Sequence, residues 1–234
     1  MNRDSIAIVD CHVHFVDVRS HRYPIFQQRS AALESVVGDY SALPRRYLPE
    51  DYLQEVGECN VVKTVWAEFM SDDPVKEASW AQALSNESGH PHGLIAQADF
   101  LSSEVVRVID SYGCLPRVRA VRQHLAFEPS GDVPTGQLDL LDDNAWRERL
   151  ALLCKNDLRC ELEILAPRLR GFANVAGFYP DMQFVLPLMG WPMDLTDTGH
   201  QAWKSGMRAL SGCKNVAVKI FGMECIFGLE WTIE

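Results

Sequence analysis

The sequence predicts an α/β fold built of βα units, for which the candidates are a doubly wound sheet and a (β/α)8 barrel. Three observations lead there. Short apolar, β-branched runs alternate with amphipathic stretches along the whole chain, which is the order of repeated βα units. The runs are apolar almost without interruption, as parallel strands buried on both faces are. The first run ends in Asp10, His12 and His14, within IVDCHVHF, and barrel chemistry gathers at the C-terminal ends of strands, which favours the barrel. No Gly-x-Gly-x-x-Gly or P-loop follows that run to support the nucleotide-binding version of the doubly wound sheet.

In chain order, the strand candidates are IAIVDCHVHF, VVKTVWAEF, HGLIAQADF, VRAVRQHLAF, CELEIL, MQFVLPLM and NVAVKIFGM. Between them lie helical stretches. PEDYLQEVGE carries Pro49 in its first turn, where a missing N–H costs nothing. KEASWAQALSNESG follows, then SSEVVRVIDSYG, which opens on a serine cap, and NAWRERLALLCKND. GHQAWKSGMRALSG closes on Gly212. Two stretches interrupt the repeat. The segment from Phe15 to about Pro49 is too long for a plain connection and reads as an active-site loop or lid. EPSGDVPTGQLDLLDD, after the fourth strand, is expected on the same rim.

At 234 residues and 47% hydrophobic, the chain is expected to form a single domain with a core of ordinary size. Its 32 acidic and 22 basic residues leave a net charge of −10, and no basic stripe offers a path for a phosphate backbone, so nucleic acid is excluded as a partner. No window reaches the roughly eighteen consecutive apolar residues of a membrane span. The N-terminus MNRDSIAIVD lacks the regions of a secretory signal. A cytoplasmic protein acting on a small molecule is the expectation. The seven cysteines never form Cys-x-x-Cys, which fits reduced thiols, most of them expected as small core residues.

Residues two apart on a strand share a face, so Asp10, His12 and His14 point into the barrel while Val9, Cys11 and Val13 point away. Two imidazoles at the open end could take adjacent positions on one divalent ion, with Asp10 better placed to orient a ring than to bind metal. The same alternation turns Glu68, Arg122, His124, Glu161, Glu163 and Lys219 toward one mouth. A carboxylate or histidine from this set could complete a metal site, and Arg122 or Lys219 could hold a substrate carboxylate. Buried arginine needs a carboxylate, and that partner could equally be protein. A His-x-His pair alone is as often structural. His90 and His92 have the same spacing but precede the third strand, on the opposite face, and are assigned to an ordinary loop.

The ordered series VDCHVHF, YLPEDYL, VVKTVWAEF, HGLIAQADF, VRAVRQHLAF, GWP and AWKSGMRALSGCKNVAVKIFGM resembles the amidohydrolase-2 branch of the amidohydrolase superfamily along almost the whole chain. The resemblance implies a (β/α)8 TIM barrel, here truncated before the eighth strand, that opens a small lactone or related cyclic ester with an activated water. It places His12 and His14 at the metal positions of a zinc or manganese site, which family members use or dispense with. It places Arg122 and His124 on the family's fourth-strand segment; together with the alternation above, His124 and Glu68 are expected to be catalytic and Arg122 and Lys219 substrate-binding, and a homo-oligomer is one way to cover the gap. The sequence departs from the family at Leu188, where relatives carry a histidine, at Glu163, and after LEWTIE, where relatives continue to a catalytic aspartate. The alternatives are a metal-dependent decarboxylase of a small aromatic acid and a degenerate barrel without catalysis.

Overall fold

The computed structural model describes residues 6–126 and 140–228. EPSGDVPTGQLDLLDD up to residue 139, and the chain after residue 228, lie outside them. The described elements are β1 (Ile8–Val13), β2 (Val16–Asp17), α1 (Pro24–Gln27), α2 (Ala31–Val37), β3 (Arg46–Tyr47), α3 (Pro49–Val56), β4 (Val61–Ala67), α4 (Pro74–Ser88) and β5 (Gly93–Gln97). They continue with α5 (Val105–Tyr112), β6 (Val118–His124), α6 (Asn144–Lys155), β7 (Arg159–Glu163), α7 (Leu169–Phe178), β8 (Phe184–Leu186), α8 (Asp197–Leu210), β9 (Val216–Val218) and α9 (Met223–Phe227).

Strand order decides between the two architectures. The seven-stranded sheet runs β1-β4-β5-β6-β7-β8-β9, every pair parallel. A doubly wound sheet reverses direction at a switch point; this one never does, so successive βα units curl one way, as in a barrel. Among the described residues β1 and β9 are its edges, and both expose apolar side chains, Val9 at 54% and Val218 at 38%. All seven strand candidates are present.

Local chemistry sets the helix ends. Asp73 accepts from the Lys76 N–H ahead of α4, with Pro74 first in the helix, and Gly89 ends it in the left-handed conformation. Asp143 caps α6 by accepting from Trp146, and Thr196 caps α8 by accepting from Gly199. Pro49 opens α3 as expected, and the Asp51 carboxylate accepts from the Leu48 N–H. The serine expected to cap α5 sits earlier: Ser102 Oγ accepts from Glu104, and α5 starts at Val105 without a side-chain cap.

Between sheet and helices lies a core built around Trp66, Trp146, Phe172, Phe184, Leu94 and Leu150, all fully buried. Trp146 donates to Gln123 Oε1 at 2.7 Å, which satisfies its only polar side-chain atom. On the opposite side of the sheet, Ala67, Ile95 and Ala120 pack together with Val65. The cysteines depart from expectation, since Cys11, Cys59, Cys114 and Cys154 are exposed and only Cys160 is buried. Position along a strand or helix, not side-chain size, decides this. Among the described residues no helix is long and apolar enough to cross a membrane.

The Phe15–Pro49 segment is structured. β2 and β3 form a two-stranded antiparallel ribbon, and α1 and α2 lie between them in sequence. Val16, Tyr23, Ile25 and Tyr40 form a small core of their own, joined by Phe69 and Met70 after β4. The segment is therefore a packed cap over the C-terminal end of the sheet.

Candidate active site

Register builds the site. β6 and β7 pair in parallel with Arg122 opposite Glu161 and His124 opposite Glu163, so an Arg-x-His strand lies beside a Glu-x-Glu strand with opposite charges in contact. Arg122 Nη2 is 2.7 Å from Glu161 Oε1, and Lys219, just past β9, places Nζ 2.7 Å from Glu161 Oε2. Arg122 Nη1 reaches Glu68 Oε1 at 3.3 Å. His124 lies between Glu68 Oε1 at 2.7 Å and Glu163 Oε2 at 2.6 Å. Glu68 Oε2 accepts from the Met70 N–H, and the Trp191 indole donates to Glu163 Oε1 at 2.9 Å. Three cations and three carboxylates thus neutralise one another in a buried network.

The network sets the protonation states. Burial opposes charge on His124, but Glu68 and Glu163 outweigh it and raise its pKa to about 10, so it is an imidazolium with both N–H groups committed. Burial likewise opposes ionisation of Glu68, and His124 with Arg122 overrides it, lowering its pKa to about 2. Burial pulls Lys219 below the ordinary lysine value despite Glu161.

These shifts fix a stability window. Because the folded pKa of His124 lies above its unfolded value of 6.5, its contribution is complete below that pH and is lost as pH rises through about 10. The Glu68 contribution is complete above pH 4.5 and is lost as pH falls through about 2. The melting temperature is therefore expected to decline between pH 7 and 10, and His124→Gln to lack that component of the decline. A parallel alkaline decline in both proteins would contradict the charged state of His124.

The imidazoles of His12 in β1 and of His14 just past it sit against this network. His12 Nε2 and His14 Nε2 are 3.2 Å apart, and His14 Nδ1 is 3.0 Å from the Ala67 carbonyl. A carbonyl only accepts, so His14 carries its proton on Nδ1. While Arg122 Nη2 lies 3.3 Å from both ring nitrogens, His12 Nδ1 faces the Lys219 ammonium at 3.4 Å. That assigns the His12 proton to Nε2, from which it is donated to His14. Burial, with Arg122 beside them, keeps both rings neutral, lowering His14 to about pKa 4 and His12 further. Phe221 stacks on His12 with ring centres 4.0 Å apart, and Phe69 lies against His14 at 4.9 Å.

Asp10 does not orient a ring. Its carboxylate accepts from the His12 backbone N–H and from the Tyr52 hydroxyl of α3, both at 2.9 Å. It fixes the strand and not the imidazole. His90 and His92 lie ahead of β5 at the other end of the sheet, where His90 Nδ1 is 3.0 Å from Thr64 Oγ1 and the His92 N–H bonds the Thr64 carbonyl. They are structural, at the end of the sheet that their position ahead of the third strand candidate predicts.

Above the floor lies a cavity of about 540 Å³, within the roughly 300–1,000 Å³ range of small-molecule sites. His12, His14, Glu68, Arg122, His124 and Glu163 line it from below; Ile25, Leu33, Val37, Tyr40 and Leu43 of the cap roof it. Leu188, Trp191 and Phe221 contribute further wall. Leu188, Met189 and Trp191 hold left-handed backbone, with φ of 53°, 54° and 46°. This conformation costs a non-glycine residue roughly 1–2 kcal/mol. The turn directs the Leu188 side chain into the cavity and the Trp191 indole onto Glu163. Sequence reasoning misses Trp191, which reads as an ordinary core tryptophan, and Phe221, which reads as the end of an apolar run.

The amidohydrolase family model, Amidohydro_2, matches residues 9–230. The chain belongs to the amidohydrolase family. A relative from Sinorhizobium fredii, the protein y4mH, is 29% identical over 232 residues, covering 98% of this chain and 77% of its own. Among solved structures, a Burkholderia multivorans amidohydrolase with bound zinc superposes with a TM-score of 0.69 at 16% identity, covering 92% of this chain and 69% of that one. Amidohydrolase 2 of Bifidobacterium longum subsp. infantis gives 0.63 at 16%, covering 92% and 73%. A 5-carboxyvanillate decarboxylase of Novosphingobium aromaticivorans with bound manganese gives 0.63 at 12%, covering 97% and 86%. At these identities the structures share the fold with this amidohydrolase.

Two of these neighbours hold zinc or manganese. The two Nε2 atoms converge, and an ion between them would require the His12 proton to move to Nδ1, which faces Lys219 Nζ at 3.4 Å. Among the described residues no group of three His, Cys, Asp or Glu side chains is placed to hold an ion. The pair thus fits as two ligands of a site that in catalytic zinc proteins commonly has about three from protein.

Proposed function

We propose that this amidohydrolase opens a small lactone or related cyclic ester with water, using His12 and His14 as the reactive floor and the Arg122, His124, Lys219 and glutamate network as a fixed electrostatic base. The observation that carries this reading is the roofed cavity with two neutral, converging imidazoles set directly on a charge-balanced network. His12 and His14 would hold a divalent ion, which supplies polarisation of an ester carbonyl.

The chain's own groups account for the remaining chemistry. Without the ion, His14 Nε2 is the ring nitrogen that accepts the proton of the attacking water as its oxygen bonds the carbonyl carbon; with an ion bound, both Nε2 atoms are taken and that proton leaves to solvent. Charge developing on the carbonyl oxygen meets Arg122 and the His124 imidazolium, which are held in place by Glu161, Glu68 and Glu163 and need not reorganise. The ester C–O bond then breaks, and the leaving alkoxide takes up a proton, from the His14 imidazolium where no ion is held and from solvent where one is. Glu68 and His124 position and polarise in this scheme; the ring and the carboxylate are already hydrogen-bonded, so neither is the base.

Ring opening of a neutral lactone yields a hydroxy acid that releases one proton near neutral pH, which an indicator dye reads continuously. The expected result is proton release catalysed by wild-type protein supplied with zinc or manganese, with about one ion per chain by elemental analysis and loss of that ion in His12→Ala. Carbon dioxide release from a benzoate-type acid without lactone opening would replace this reading with decarboxylation. A folded protein inactive on both would leave a barrel without catalysis.

A further inference from the structure

Resting on the hydrolase reading, we infer that the substrate is an uncharged cyclic ester with an apolar body, not a polyhydroxylated lactone or a lactone carrying carboxylates. Two independent features of the cavity point there. The first is charge. Among the described lining residues Arg122 is the one arginine or lysine, and it is bound to Glu161 and Glu68. The other lining cation, His124, is clamped between Glu68 and Glu163. Glu224 adds an exposed carboxylate at the rim. A substrate carboxylate would therefore enter a space lined by three glutamates and two cations that already have partners. Desolvating such an anion without a new partner is strongly unfavourable.

The second feature is the roof and wall. Val37, Leu43, Phe69, Leu188 and Phe221 present carbon to the cavity. The Tyr40 hydroxyl, the polar atom of the roof, is engaged by the Ser30 N–H at 2.6 Å. The hydroxyls of a sugar lactone would lose water there and find no replacement, whereas an alkyl chain or fused aromatic ring would be buried favourably. Polar partners concentrate at the floor, beside the imidazoles, where an ester group needs them. Leu188 is the central element of this selectivity. Its left-handed backbone, φ 53°, holds the side chain against Gly222, where a methyl group in place of the glycine hydrogen would lie 2.4 Å from Leu188 Cδ2.

The test compares three lactones, one alkyl- or aryl-substituted and neutral, one polyhydroxylated, and one dicarboxylated, by proton release. A non-hydrolysable lactam analogue of the neutral compound is titrated in parallel by calorimetry. The expected result is a kcat/KM for the neutral lactone at least about 10-fold above the other two, micromolar-to-millimolar binding of the lactam, and about 10-fold weaker lactam binding by Leu188→Asn. Asparagine tolerates the left-handed backbone, and an unchanged melting temperature verifies that the variant is folded. Preference for the polyol or the dicarboxylate would overturn the inference, as would failure of the wild type to bind the lactam. Lactam binding without opening of any lactone would leave the cavity's preference for a neutral, apolar ligand standing and remove the hydrolase reading beneath it.

Discussion

Arg122→Met is expected to lower the free energy of unfolding by about 3–5 kcal/mol, the cost of stranding a buried charge after removing its partner. Arg122 is 4% exposed and Glu161 is fully buried, so water cannot replace the lost bonds. Methionine keeps most of the volume, which separates the charge effect from cavity formation. Glu161 would retain only Lys219, and Glu68 only His124 and the Met70 amide. The double variant Arg122→Met, Glu161→Gln should recover part of the loss, because the second change removes one of the stranded charges. A coupling of roughly 0.5–3 kcal/mol is the expected size for groups in direct contact. Denaturant unfolding of wild type, both single variants and the double variant reads it, and an Arg122→Met loss below about 1 kcal/mol would mean that the network is solvated.

His14→Ala is expected to reduce kcat/KM for ring opening by about 10²–10⁴-fold, the usual contribution of a positioned acid–base group. Its melting temperature should shift far less than that of Arg122→Met. The ring makes two polar contacts, to Ala67 O and His12 Nε2, and carries no ion pair. Lys219→Met should give a smaller loss of rate with a measurable loss of stability, since Nζ both supports Glu161 and faces His12 Nδ1. A His14→Ala protein with unchanged kcat/KM would place the chemistry elsewhere in the cavity.

Much of this arrangement is legible in the sequence where one periodicity governs it. Alternation by two puts Arg122 with His124 and Glu161 with Glu163, and the sequential pairing of βα units brings those strands together. What alternation cannot supply is distance. It gives Asp10 the same face as His12, yet Tyr52, distant in sequence, takes the carboxylate. It turns Arg122 and Lys219 toward the mouth, but only the register shows that Glu161 occupies both. Helix α7 escapes a sequence reading because Gly171 and Gly177 dilute the helical signal of LRGFANVAGF. The cap is visible as an overlong loop, while its apolar underside depends on how α1 and α2 fold back. The leucine at position 188 is plain, but that it lines the cavity follows from a run of left-handed residues that no propensity scale anticipates.

Hydrolysis of a neutral lactone in 18O-labelled water tests the central claim most directly, because it reports both the nucleophile and the bond broken. The account predicts a hydroxy acid carrying one 18O in its carboxyl group and none in its alcohol, formed at an enzyme-dependent rate that falls about 10²–10⁴-fold in His14→Ala. Label in the alcohol, or formation of carbon dioxide in place of a hydroxy acid, would contradict attack of water on the carbonyl over the His12–His14 pair.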